Sequence, residues 1–343
     1  MNKALKIVIP MAGYGTRLRP HTWSRPKQLV TIAGKSVLSH VLEMFSTLPN
    51  PDDIELIFIV GYLGDKVEIY MKKHHPGLTV RYVLQEEMRG QSHAIHLAKE
   101  FLSGPMLMVF ADTLIETDLS FLKDETSGAV AWVKPVPDPR RFGVAEVGTD
   151  GWVTRLIEKP KDVHNNLALV GFYYFQEAEE LIGAIEEQMR RGLKLKGEYF
   201  LADAINVMLD RGLKMRTNRV DVWLDAGTLS AVLETNQYFL DHGLGNSEEA
   251  SQLPGVTVVP PVFVHPTADV KASIIGPYTS IGPQCKIRNS VIRDSIIEDG
   301  TQVRDVVLAQ SLIGQNAELN GCPNNINVGD NSVINLGECA AGN

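Results

Sequence analysis

Cysteine is scarce in this sequence. Its 343 residues hold three, Cys285, Cys322 and Cys339, far apart and without a CxxC pair, which excludes a disulfide framework and a zinc ribbon. Long apolar runs are missing too. The longest, such as Leu56–Val60 and Met106–Ala111, fall far short of the ~20 residues of a membrane span, so no membrane partner is expected. The run that follows Lys3 and Lys6 breaks at Pro10, and no signal peptide is expected. Positive charge is in deficit: 33 Lys and Arg stand against 41 Asp and Glu, with no basic block. A nucleic-acid partner needs a basic face, so none is expected. What is present, 44% hydrophobic and 22% charged residues, is an ordinary globular composition at a length that suits two domains. A cytoplasmic protein is expected.

Two patterns divide the chain. From Met1 to about Gly245, β-rich apolar runs at Lys6–Pro10, Ile54–Val60, Thr79–Leu84 and Met106–Ala111 alternate with helical spacing at Ser36–Phe45, Gly64–Lys73 and Ser92–Glu100. Such alternation implies an α/β domain with a Rossmann-like, mostly parallel sheet. Residues 129–175 read as strand-rich, and helices return at Glu177–Arg191, Asp203–Arg211 and Thr228–Asp241. The Gly, Asn, Ser and Glu of Asp241–Leu253 read as a linker.

Beyond it an aliphatic residue recurs every five or six positions: Val264, Val270, Ile275, Ile281, Ile287, Ile292, Ile297, Val303, Leu308, Ile313, Leu319. Tyr278 is the only aromatic after Phe263, so no conventional layered core can form. A hexapeptide period with one inward aliphatic describes a parallel β-helix, each coil burying its face on the next. Ordinary hairpins would not space their turns so evenly. Coils of this type resemble the left-handed β-helix. The expected domains are 1–245 and 246–343.

The densest motif, Met11-Ala-Gly-Tyr-Gly-Thr-Arg-Leu-Arg-Pro-His-Thr-Trp-Ser-Arg-Pro-Lys27, follows the first strand directly, at the edge where α/β sheets bind ligands. Gly13 and Gly15 permit close backbone approach to phosphate oxygens, and Arg17 and Lys27 add fixed positive charge. Neither familiar phosphate loop fits, because Leu18 stands where the dinucleotide fingerprint needs glycine and Leu29 where a Walker loop does. Asp112 closes another strand at the same edge, and the amide of Gln85 offers the donor and acceptor that suit a pyrimidine edge.

The motif resembles the nucleoside-diphosphate-sugar pyrophosphorylases, the sugar-1-phosphate nucleotidylyltransferases, and the likeness runs along nearly the whole chain. The tail is similar to that of long-form glucose-1-phosphate thymidylyltransferases. This resemblance implies transfer of a nucleotidyl group from dTTP or UTP to a sugar 1-phosphate. It implies that Ala12, Gly13, Gly15, Thr16, Gln28, Gln85 and Gly90 bind the nucleotide, with Gly90 passing close to the base. Gly143, Glu158, Val170 and Glu198 are implied for the sugar, and Arg17, Lys27 and Lys159 for the phosphates. Asp112 and Asp225, the latter in Trp223-Leu-Asp-Ala-Gly-Thr228, are implied to hold Mg²⁺, which favours hard carboxylate oxygens. Gln91 and Ser92 depart from the family's usual residues after the Gly90 glycine. No Ser–His or Cys–His pair is needed, since the attacking phosphate oxygen is already an anion. His93, His96, His74 and His75 read as solvated or capping.

A silent nucleotide-sugar sensor would have lost Arg17, Lys27, Asp112 or Asp225, and all four are present. An acyltransferase β-helix, as in related uridylyltransferases, needs a histidine, and none follows His265. The β-helix therefore reads as an oligomerisation or packing module, and a homo-oligomer is expected. Gln28 matches the thymidylyl and uridylyl branches. Leu169 stands where enzymes of N-acetylglucosamine commonly carry Asn, which points to α-D-glucose 1-phosphate. The choice of dTTP over UTP rests on the long-form resemblance alone.

Overall fold

The computed structural model describes residues 4–321 apart from Asp52; Cys322, Cys339 and the rest of the tail lie outside them. Four strands, β1 (Leu5–Pro10), β2 (Ile54–Val60), β3 (Val80–Leu84) and β4 (Met106–Val109), run parallel, with α1 (Val37–Glu43), α2 (Gly64–His74) and α3 (Gln91–Leu97) between them. Apart from Lys6 of β1 and Glu55 of β2, which pair at 2.7 Å, the middle strands are apolar because helices cover both faces: Ile7 and Ile9 point into one core, Val8 into the other. β2 and β3 lie on one side of β1 and β4 on the other. The chain thus reverses its direction of winding between β1 and β4, where an open α/β sheet leaves a crevice.

The strand-rich stretch holds β5 (Thr113–Ile115), β6 (Ala129–Pro135), β7 (Gly143–Val147), β8 (Val153–Glu158) and β9 (Leu167–Phe175). β9 joins the sheet antiparallel to β4 and carries β7 and β6. α4 (Ala178–Arg191) buries Ala178, Leu181, Ile182 and Ile185, the helical spacing of an apolar stripe, and ends at Gly192 in the left-handed region. α5 (Leu201–Asp210), β10 (Met215–Arg219), β11 (Trp223–Asp225) and α6 (Leu229–Phe239) follow. The short pair β5–β11 sets Asp225 opposite Thr113.

The stretch expected to be a linker is folded. Residues 247–250 form a helical turn (α7, Ser247–Ala250), and the Asn246 side chain bonds Val264 through both its amide atoms, at 2.7 and 2.8 Å. The turn-forming composition was real, but those polar groups satisfy the first coil's backbone instead of solvent.

The repeat builds a left-handed β-helix of three all-parallel four-stranded sheets. Val264, Ile281, Ile297 and Ile313 stack in register along one sheet. Val270, Ile287, Val303 and Leu319 stack along the second, and Ile275, Ile292 and Leu308 along the third. This helix lies against the α/β sheet domain. Ile296 and Leu312 belong to the same core as Ile7 and Phe58, and the Phe263 ring covers Gly34. Asn236 of α6 accepts from Ala33 N–H at 3.0 Å and from Ser280 Oγ at 2.6 Å, and donates to the Tyr278 carbonyl at 3.2 Å.

Candidate active site

The loop leaving β1 folds into three single 3-10 turns, Thr16–Leu18, His21–Trp23 and Lys27–Leu29. Two side-chain bonds hold its shape: Thr22 Oγ1 donates to the Gly15 carbonyl at 2.9 Å, and Gln28 Nε2 to the Met11 carbonyl at 3.1 Å. Above it opens a cavity of about 460 Å³ lined by Ala12, Gly13, Gly15, Thr16, Lys27, Gln85 and Gly90. A second cavity, of about 640 Å³, is lined by Arg17, Gly143, Glu158, Lys159, Val170 and Asp225. Gln91, Phe110, Asp112 and Glu198 line both and form the wall they share. Of the residues implied for nucleotide, sugar, phosphate and metal, Gln28 alone lines neither cavity. It is buried beneath the loop, with Oε1 unpartnered.

Charge concentrates where the cavities meet. Lys27 Nζ pairs with Asp112 Oδ2. Burial alone would raise the Asp112 carboxyl, but the Lys27 ammonium outweighs it and holds the group below its ordinary range. Asp225 is pushed the other way, by burial first and then by the Asp112 charge, against the pull of Arg17. Ala226 N–H donates to the Asp112 carbonyl at 3.2 Å, which ties the two aspartates' segments together. Gly227 explains the small residue in the Asp-Ala-Gly-Thr motif: a Cβ there would stand 2.7 Å from Arg17 Nη2 and 3.0 Å from Asp225 Oδ1. Among the described residues no cluster of three or more His, Cys, Asp or Glu is found. The Asp112 and Asp225 carboxylates offer oxygen atoms alone, the donor type that suits a hard divalent cation.

On the second cavity's wall Glu158 is raised, by burial above all, and Lys159 Nζ at 3.7 Å opposes the shift. Leu169, 8% exposed, forms an apolar part of the same wall.

Gly90, on the wall of the first cavity, also meets a backbone constraint. A Cβ there would come within 2.5 Å of the Tyr199 carbonyl oxygen and 2.6 Å of its nitrogen, so the glycine makes room for the 199 backbone. Tyr199 N–H donates to the Arg89 carbonyl at 2.9 Å, and Ser92 N–H to that of Tyr199 at 3.1 Å. Gln91 Oε1 accepts from Leu201 N–H at 3.2 Å at the start of α5. His75 is the C-cap of α2, and its ring meets Ser39 Oγ at 2.8 Å; His93 meets Gln85 Nε2 at 3.2 Å and His96 meets Glu186. His74 stacks on Tyr70.

Sequence reasoning missed Lys134, Phe110, Tyr173 and the Phe142–Trp223 edge-to-face pair, whose centroids are 4.9 Å apart, all on the second cavity's wall. Lys134 ends the apolar run of β6, a carboxyl-edge position that was its one signal.

Residues 6–242 match the family model described as nucleotidyl transferase. A glucose-1-phosphate thymidylyltransferase of Streptomyces griseus is 29% identical, over 96% of this chain and 98% of that protein. The bifunctional protein GlmU of Methanococcus maripaludis is 33% identical over 68% of this chain, which spans 54% of that relative. A solved Bacillus anthracis structure described as a glucose-1-phosphate thymidylyltransferase, with sucrose bound, superposes with a TM-score of 0.58. It is 26% identical and covers 68% of this chain and 95% of its own.

Proposed function

Because this chain belongs to the nucleotidyl transferase family and is a sugar-1-phosphate nucleotidyltransferase, we propose that it makes NDP-glucose from α-D-glucose 1-phosphate and dTTP or UTP, with Mg²⁺. In this reading residues 1–245 are the catalytic domain, 246–343 the β-helix, and the assembly a homo-oligomer. The observation that carries it is the shared wall: two cavities meet at Asp112, Gln91 and Glu198, with Arg17, Lys27 and Asp225 around the junction. A product with a nucleotide at one end and a sugar at the other spans such a pair.

The glycine loop and Lys27 hold the triphosphate, while Lys159 and Arg17 hold the sugar phosphate. An oxygen of that phosphate, already anionic, bonds to the α-phosphorus as the bond to the β-phosphate oxygen breaks. Pyrophosphate leaves with that electron pair, so no proton need move. The catalytic demand is to align two polyanions and offset their charge in a dry site. Arg17, Lys27 and Lys159 do this as fixed cations. Asp112 and Asp225 would hold Mg²⁺, which adds positive charge beside the phosphate oxygens.

Glu158 and Glu198 accept hydrogen bonds from sugar hydroxyls in this reading. Leu169 offers no amide partner to a 2-acetamido group, which supports glucose over N-acetylglucosamine. The decisive experiment is a matrix of triphosphates against sugar 1-phosphates, scored by pyrophosphate release. Comparable rates with dTTP and UTP on glucose 1-phosphate agree with the reading. Higher kcat/KM with GTP, ATP or N-acetylglucosamine 1-phosphate overturns it.

A further inference from the structure

We propose that Glu298, a β-helix residue outside both cavities, is a positioning residue for nucleotidyl transfer that sets Lys27 through Arg25 and Thr31. The inference rests on the role given to Lys27 above and adds a part of the chain that no cavity wall reveals.

Glu298 follows the strand Ile296–Ile297 and its side chain is wholly buried. Burial pushes its carboxyl upward, against the Arg25 charge. Each oxygen has its own partner on the α/β domain. Oε2 accepts from Arg25 Nη1, and Oε1 accepts from Thr31 N–H at 3.0 Å. Those two partners bracket the single turn Lys27–Leu29 that carries the ammonium facing Asp112. One carboxylate therefore grips the chain on both sides of Lys27.

The remaining ties of that turn point the same way. Gln28 is fixed from beneath on the Met11 carbonyl, and Arg25 Nη1 also reaches the Leu29 carbonyl at 3.5 Å. Adhesion between the domains does not require a buried charge, since Ile296, Leu312 and Phe263 already pack across the same junction. A buried ion pair is often no more stabilising than an apolar replacement. What it adds is direction: two hydrogen bonds accepted by one rigid carboxylate fix where a turn sits. Lys27 needs that, because the turn sets where its stem begins and so where the ammonium paired with Asp112 can sit.

The test is Glu298→Gln, alone and combined with Lys27→Ala, in the full chain, assayed by pyrophosphate release. The single variant is expected to lose on the order of 10–10² in kcat, the scale of a misplaced catalytic group. The KM for sugar 1-phosphate should stay near its original value. In the Lys27→Ala background the same change should add no more than about twofold, because the residue through which it acts is gone. Should Arg25, left unpaired, keep the single variant from folding, the double variant Arg25→Gln/Glu298→Gln replaces it in both backgrounds. An unchanged kcat in a folded variant overturns the proposal, and so does an equal loss with and without Lys27. A Lys27→Ala protein of full activity would overturn the site reading first and this inference with it.

Discussion

Gly227→Ala separates the chemistry of this site from its stability. An alanine Cβ at 227 would stand 2.7 Å from Arg17 Nη2, whereas atoms of this kind rest at about 3.5 Å. The guanidinium must recede by roughly 0.8 Å, close to the 1 Å displacement that can cost about 10²-fold in rate. Deleting the side chain sets the upper bound, since Arg17→Ala removes one transition-state stabiliser and should cost on the order of 10²–10³ in kcat. Gly227→Ala should therefore lower kcat by about 10–10²-fold. The fold should not suffer. Gly227 is outside the left-handed region, the nearest atoms, Arg17 Nη2 and Asp225 Oδ1, are the far ends of side chains, and replacing a compatible glycine gains about 0.4–1 kcal/mol through the unfolded chain. The assay pairs steady-state pyrophosphate release with thermal unfolding. Unchanged kcat would refute the placement of Arg17 at the reacting phosphates. A lowered Tm would show that backbone, not Arg17, takes up the clash.

Asp225→Asn keeps an acceptor for Gly227 N–H, bonded at 2.9 Å, so thermal stability should hold while turnover with Mg²⁺ is almost lost; near-normal turnover would remove Asp225 from the metal site. Glu158 gives a pH signature. Its carboxyl is raised by burial, with Glu198 and Asp203 adding like charge and Lys159 opposing, so the fold favours the neutral acid. Its stability contribution is present in acid and is lost as pH rises through the raised value, and the carboxylate that accepts from the sugar appears over that window. The KM for sugar 1-phosphate should accordingly rise on acidification at a pH above the ordinary glutamate range, and Glu158→Gln should flatten that limb. A KM that stays level until the ordinary range would contradict the burial argument.

The parts of this molecule that repeat or alternate were legible in the chain. Each of the eleven aliphatics from Val264 to Leu319 lies in a β-helix strand, because the coil imposes its own period on the sequence. The β1–β4 frame was readable for a similar reason: strands covered on both faces are predominantly apolar. Fifteen of the sixteen anticipated site residues line a cavity, since the loop motifs sit directly after strands. What escaped was partnership at long separation. Glu298 lies 273 residues from Arg25, and Asn236 lies 203 from Ala33, and a local window contains only one member of each pair. The close approach of Tyr199 to Gly90 escaped for the same reason, since the two are 109 positions apart. The Asp241–Leu253 stretch has the composition of a solvated linker, and only the strand it satisfies reveals otherwise.

The coil-by-coil build of the β-helix has a consequence for how such chains can change length over evolution. Every strand pairs in parallel with its counterpart one coil later, so a whole coil can be inserted or deleted with its neighbours still matched. Each such event shifts everything beyond it along the axis by the strand spacing, about 4.8 Å. Coils gained after the strand Leu312–Ile313 leave the docking face where it is. A coil gained between Phe263 and Ile296 would carry Glu298 one step beyond Arg25 while Phe263 stayed on Gly34. Length variation in this architecture should therefore accumulate beyond Leu312–Ile313, with the number of coils before that strand held constant.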